Sequence, residues 1–141
     1  MRVKTTVRLL AATVLALLLS VQVALAGRFE DELLSLINRY RSAHKCKTLA
    51  STPLYTDLAR GHSRAMQEQN SLGHDGFNDR FRQAAGARSC VENVGWNHET
   101  PQSLFNGWKD SPGHRENMLN RKISRAGISK SGAYVTFFAC Y

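Results

Sequence analysis

Apolar and polar positions follow three different patterns along this chain. From Leu9 to Ala26 there is no charge, and Leu9 to Leu19 is almost wholly apolar. At Phe29 a helical rhythm begins, with Phe29, Leu33, Leu36, Ile37 and Tyr40 on one face. Glu30, Asp31 and Glu32 fall in its first turn, where the helix dipole favours negative charge. A helix is therefore expected from Phe29 to His44. Pro53 marks a break. Thr56 or Asp57 can then cap a second helix running to about Asn70, with Leu58, Ala59, His62, Ala65 and Met66 as its apolar stripe. A short third helix is expected over residues 78–85, stopped by Gly86. Thr100-Pro101 and Ser111-Pro112 each join a capping hydroxyl to a proline at the first helical position. The first opens a fourth helix carrying Leu104, Phe105 and Trp108, and the second a short segment from His114 to Leu119. The rhythm then shifts to period two. Residues 126–130 and 133–140 read as strands joined around Ser131-Gly132 in a tight hairpin, and residues 91–96 as a further strand. Such a sequence of elements predicts an α+β fold, with helices packed on a small antiparallel sheet.

The uncharged run has the flanks of a secretory signal peptide. Arg2, Lys4 and Arg8 precede it, and Ala24-Leu25-Ala26 ends it in a small-x-small cleavage site before Gly27. A bilayer core takes roughly 20 apolar residues to span, so the run is only marginally long enough for an anchor. The expected division is a signal peptide over 1–26 and a single domain over 27–141. That places the protein in the periplasm or outside the cell, with no transmembrane segment left after cleavage.

Charge and cysteines are then read in that compartment. All three leader charges are basic, so the segment after Ala26 keeps 16 of the 19 basic residues against 11 acidic ones, a net +5. These are scattered without a run of five. An exported chain rarely meets nucleic acid, so a solvated basic surface is expected and no nucleic-acid partner. Cys46, Cys90 and Cys140 would sit where disulfides form. Three is odd, so one thiol is left over or pairs between chains. No C-x-x-C occurs, which argues against a thioredoxin-like site.

Five histidines carry the candidate chemistry. His44 reads as a helix C-terminal cap, His98 as an exposed loop residue, and His62 as a satisfied core histidine on the apolar face of helix two. His74 differs, lying in a glycine-flanked loop, Leu72-Gly73-His74-Asp75-Gly76-Phe77. His114 sits at a helix start, in Ser111-Pro112-Gly113-His114-Arg115-Glu116-Asn117. Glu92 is an acid inside the apolar stretch Cys90-Val91-Glu92-Asn93-Val94, and if buried it must be paired or hydrogen-bonded.

In order and spacing these segments resemble the CAP superfamily: cysteine-rich secretory proteins, antigen 5, plant pathogenesis-related proteins and their short bacterial SCP-like relatives. The resemblance runs from about Leu33 to Phe138. It rests on Leu36-Ile37-Asn38-Arg39-Tyr40-Arg41, on Pro53-Leu54 with Ala59 to Met66, and on His74 followed by Arg80. Glu92-Asn93-Val94, Trp108, Ser111-Pro112-Gly113-His114, Asn117-Met118-Leu119 and Gly127-Ile128 complete it. It implies an α-β-α sandwich with a cleft lined by His74, Glu92 and His114. The family's second cleft glutamate has no counterpart. Ser111 occupies its place, Asp110 is one residue out of register, and Glu116 is near in sequence only. Val91 replaces the family's glycine before the glutamate. The resemblance also implies a Cys90–Cys140 disulfide with Cys46 free; the competing pairing joins Cys46 to Cys140.

Three function classes follow. The first is a monomeric binding module for a lipid, a small apolar ligand, or an envelope or protein partner, as the resemblance implies, with no catalysis and no required cofactor. The second is a metal-assisted, protease-like hydrolase, in which His74 and His114 would ligate Zn²⁺ and activate water. A Ser111–His114–Glu92 nucleophile is disfavoured, because Ser111-Pro112 reads as an N-cap and no Gly-x-Ser-x-Gly elbow exists. The third is a secreted structural or interaction factor in which Glu92 and His114 merely bridge strand and helix.

Overall fold

The computed structural model describes residues 27–84 and 86–141. The expected signal peptide, and Ala85 at the end of the expected third helix, lie outside the described residues. Helix α1 covers residues 27–43 and buries Phe29, Leu33, Leu36 and Ile37, so its apolar stripe faces the core. A two-residue strand β1, Ala50–Ser51, leads into α2, Pro53–Gln69. α3 covers Phe77–Gln83, β2 Cys90–Trp96, α4 Pro101–Asp110 and α5 Pro112–Leu119. β3, Arg125–Ser131, and β4, Tyr134–Cys140, close the chain.

Two expectations change here. Pro53 does not break the chain before a helix starting at Thr56 or Asp57; it is the first residue of α2, and Thr52 caps it, its hydroxyl accepting from Tyr55 N at 3.4 Å. The same proline effect that was read at Thr100-Pro101 operates at Thr52-Pro53. The sheet is also not purely antiparallel. Its order is β1-β3-β4-β2, and β1 runs parallel to β3 through Ala50↔Arg125 and Ser51↔Ala126. The three longer strands are antiparallel. β3 and β4 are joined by Gly132-Ala133, and Gly132 has φ 56°, a value glycine takes without steric cost.

Helices cover both faces of the sheet. β4 is buried throughout, and its side chains alternate between two cores. Val135, Phe137 and Ala139 meet α1, Leu104, Phe105 and Trp108 of α4, and Met118 of α5. Phe138 and Cys140 meet Tyr55 and Ala59 of α2, with Phe77 of α3 beside them. α2 lies hard against β3 at Gly127, where an added Cβ would come within 2.0 Å of the Tyr55 carbonyl carbon and 2.1 Å of Thr56 N. Those are backbone atoms and cannot step aside, so any side chain at Gly127 would lift the first turn of α2 off the sheet. At the other edge Cys90 and Cys140 face each other in register and are bridged, which ties β2 to β4. Closing a loop of 50 residues adds roughly 4 kcal/mol in the chain-entropy account. Cys46 is a buried free thiol.

β2 is an edge strand, and α4 and α5 wrap its open side. Trp108 Nε1 donates to the Val94 carbonyl at 2.9 Å, and Asn117 Nδ2 to the Glu92 carbonyl at 3.1 Å. Side chains thus satisfy carbonyls that would otherwise offer a pairing edge.

Candidate functional site

Successive side chains of a strand point to opposite faces, and in β2 this splits the site in two. Glu92 points to the face covered by α2 and α3. Asn93 points to the face covered by α5, where its Nδ2 donates to the His114 carbonyl at 3.0 Å and its Oδ1 accepts from Asn117 Nδ2 at 2.9 Å. Both residues are buried.

The Glu92 carboxylate is 1% exposed and fully engaged. Arg80 grips it with both prongs, Nε to Oε2 at 2.7 Å and a terminal NH₂ to Oε1 at 2.8 Å. Such bidentate pairs are among the strongest polar contacts a protein makes. Another Arg80 nitrogen donates to the Asp75 carbonyl at 2.8 Å, so the same guanidinium also holds the loop that carries His74. His74 Nδ1 lies 2.9 Å from Glu92 Oε1. A carboxylate only accepts, so Nδ1 bears the proton and Nε2 is left unengaged by any described residue. The His74 side chain is half exposed.

His62 joins from α2. Its Nε2 donates to the Gly73 carbonyl at 2.8 Å, as a satisfied core histidine would, and stands 3.6 Å from Glu92 Oε1. The latter distance is too long for a good hydrogen bond. Burial, the larger influence, pushes the His62 pKa below its ordinary 6.5 in spite of the Glu92 charge, which Arg80 already neutralises. The ring is therefore neutral, and its proton is on Nε2. His114 is likewise held below 6.5, by burial first and then by His74, which places the two imidazoles within electrostatic reach of each other. Its ring lies 6.3 Å from that of Trp108.

His74 and Glu92 are thus brought into direct contact, and His114 joins them through Asn93 and α5. Arg80 and His62 complete the cluster. The sequence signal for Arg80 was its place six residues after His74; that it would consume Glu92 was not visible. Asp110 and Glu116 are both exposed, so neither replaces the missing family glutamate. Ser111 stands at the N-cap of α5, as expected, with its carbonyl accepting from Arg115 N at 2.9 Å, but its hydroxyl makes no capping hydrogen bond. No hydrogen bond links it to His114 among the described residues either. For Zn²⁺ the donor set falls short. Both Glu92 oxygens are used, and no group of three or more His, Cys, Asp or Glu among the described residues is placed to hold a metal.

Comparison with known proteins agrees with this architecture. An extracellular protein of Bacillus anthracis containing an SCP domain superposes with a TM-score of 0.77 at 28% identity, covering 82% of this chain and 41% of that one. An outer surface protein of Borrelia burgdorferi shares the fold, with a TM-score of 0.71 at 18% identity, over 78% of this chain and 90% of that one. Two Bacillus subtilis proteins are similar in sequence. The uncharacterized membrane protein YlbC is 27% identical over 113 residues, 76% of this chain and 33% of its own. The uncharacterized protein YkwD is 24% identical over 106 residues, 71% and 41% respectively. This chain therefore spans between a third and about two fifths of the length of those two relatives. The family model of the cysteine-rich secretory proteins, CAP, matches residues 34–141, and with the His74–Glu92–Arg80 cluster and the α-β-α architecture in place, the chain belongs to that family.

Proposed function

We propose that this CAP domain is an exported binding module, and that ligand recognition is centred on His74 and His114. The observation that carries this reading is the state of Glu92. Its carboxylate is buried and spent on Arg80 and His74, so it positions an imidazole and is not available as a base or a ligand. What the cleft presents outward is a half-exposed imidazole with a free Nε2, next to a neutral His114. These are recognition groups without an aligned nucleophile. Export is supported by the signal-like leader and by the likeness to an extracellular SCP-domain protein.

Calorimetric titration with palmitate and with phosphatidylglycerol vesicles tests the reading. At least one probe should bind, and His74→Ala and His114→Ala should each weaken it tenfold or more while the melting temperature stays within a few degrees. Loss of stability in both variants with no binding to lose would favour the secreted structural or interaction factor. The hydrolase reading has only two imidazoles to hold a metal. It would gain ground if zinc-dependent peptide cleavage appeared and vanished in both variants.

A further inference from the structure

A second opening lies behind the Glu92 cluster, between α2, the loop from Ser71 to Gly76, and α3. It is a groove of about 340 Å³, lined by His62 and Arg80 but not by His74, Glu92 or His114. At roughly 30 Å³ per water it has room for about eleven waters, which suits a small organic molecule. One wall is apolar, made of Leu58, Ala65 and Met66.

The groove has a built polar centre. The His62 side chain is 3% exposed, and its Nε2–H is committed to the Gly73 carbonyl. The neutral ring therefore carries a lone pair on Nδ1. Nδ1 makes no hydrogen bond to any described residue, yet no fully buried side-chain nitrogen or oxygen among them lacks a partner. That nitrogen thus keeps an opening, and the opening lined by His62 is this groove.

The rim has the same polarity. Asp57, Asp75 and Asp79 all line the groove of a chain whose net charge is +8. Among the described residues Asp57 and Asp79 pair only with Arg60 and Arg82 one helical turn away, with both partners well exposed. Such pairs contribute little and yield readily to a better-placed cation. Asp75 has no ion pair among the described residues. Arg80 is the cation that lines the groove, and its charge is already met by Glu92. The groove therefore offers acceptors: a buried imidazole nitrogen at the bottom and carboxylates at the mouth.

We propose that this groove is a binding site for a small primary ammonium compound on a short alkyl stem. The ammonium donates to His62 Nδ1 and is drawn in by Asp75, and the stem lies against Leu58 and Met66. This goes beyond the cleft reading, since the groove is lined by His62 and Arg80 and by neither His74 nor His114.

The test is calorimetric titration of the full purified chain with n-hexylamine, against hexanol and hexanoate as neutral and anionic controls. Hexylamine should bind at least tenfold more tightly than either control. In a ¹⁵N spectrum the His62 Nδ1 resonance should shift on addition of the amine. Gly61→Leu supplies a variant that keeps the fold: an added Cβ there meets nothing within 4 Å, and leucine is the better helix former. Its longer side chain fills the groove and should abolish amine binding without lowering the melting temperature. Asp75→Asn should weaken binding several-fold. Equal affinity for hexylamine, hexanol and hexanoate would overturn the proposal, as would amine binding undiminished in a folded Gly61→Leu variant.

Discussion

Two arginines are buried in this domain, and they are held in opposite ways. Arg80 is 7% exposed and faces a carboxylate, Glu92. Arg41, at the end of α1, is 0% exposed and faces backbone carbonyls: Lys47 at 2.8 Å, Met118 at 2.6 Å, Asn120 at 2.9 Å and Ile123 at 3.4 Å. Burial pushes its pKa below the usual guanidinium value, but a guanidinium stays charged in a protein. The carbonyls at the C-terminal end of α5 carry the negative end of that helix dipole, which is the charge Arg41 answers. One arginine thus makes a lock between α1 and α5. The other sets the chemistry of a site, because it removes Glu92 from the pool of free carboxylates. A buried charge alone does not mark function; the kind of partner it consumes does.

Removing each arginine sharpens the contrast, and Arg80→Ala should be the more damaging. It leaves the Glu92 carboxylate buried with only His74 and the distant His62, a situation that costs about 3–5 kcal/mol. The double variant Arg80→Met/Glu92→Leu should recover most of that loss, since an apolar pair of similar volume commonly replaces a buried ion pair without penalty. Urea unfolding measures both. If the double variant is no more stable than Arg80→Ala, the loop held through the Asp75 carbonyl, and not the ion pair, is what Arg80 secures.

Arg41→Met should cost somewhat less, about 3 kcal/mol, because buried carbonyls lose donors but no charge is left alone. Here no second substitution can compensate, since the acceptors are backbone. A loss below 1 kcal/mol in urea would show that water replaces the guanidinium, and the lock would be a minor one.

The two arginines also mark what could be read before the fold was known. Arg41 continues the spacing of Leu33 and Ile37, every fourth residue along the buried face of α1, so its burial was legible in principle. Apart from the nearby Lys47 carbonyl, its acceptors lie some 80 positions away, at and just beyond the end of α5, and no local pattern reports them. Glu92 stood out as an acid in an apolar strand, which demanded a partner; the partner's identity depends on how α3 packs under β2. The helices were legible because an apolar stripe and a proline start are local signals. β1 was not, because two residues pairing with Arg125 and Ala126 have no periodicity to show. Ser111 misled, because the Ser-Pro pair predicts a capping hydrogen bond whose formation depends on the turn between α4 and α5.

Acid should separate the two regions next. His62, beside Glu92, and His114, at the start of α5, both have folded pKa values below the ordinary 6.5. The unfolded chain then binds more protons than the folded one, so stability rises with pH across that window. Their contribution is whole above about 6.5 and is lost as pH falls from there toward the folded values. Glu30, whose pKa burial raises, acts with the opposite sign, so the decisive comparison is between the parent chain and His62→Gln. Melting temperatures between pH 7.5 and 5 should fall in both, less steeply in the variant. Parallel curves would mean that His62 is already charged in the fold.

The smallest effect is expected where α5 begins. Thr100 and Ser111 look alike in sequence, each before a proline that starts a helix, but Thr100 Oγ1 accepts from Ser103 N at 3.1 Å while Ser111 makes no capping bond. α5 is held instead by Arg41 at its last carbonyls and by Asn117 on β2. Thr100→Ala should therefore cost about 1 kcal/mol, the ordinary value of a lost N-cap. Ser111→Ala should stay within about 0.5 kcal/mol, as surface changes away from such features do. Urea midpoints of the two variants, compared side by side, decide the matter. Equal losses would mean that the Ser111 hydroxyl closes onto α5 in solution, and Arg41 would then share with it the task of fixing that helix.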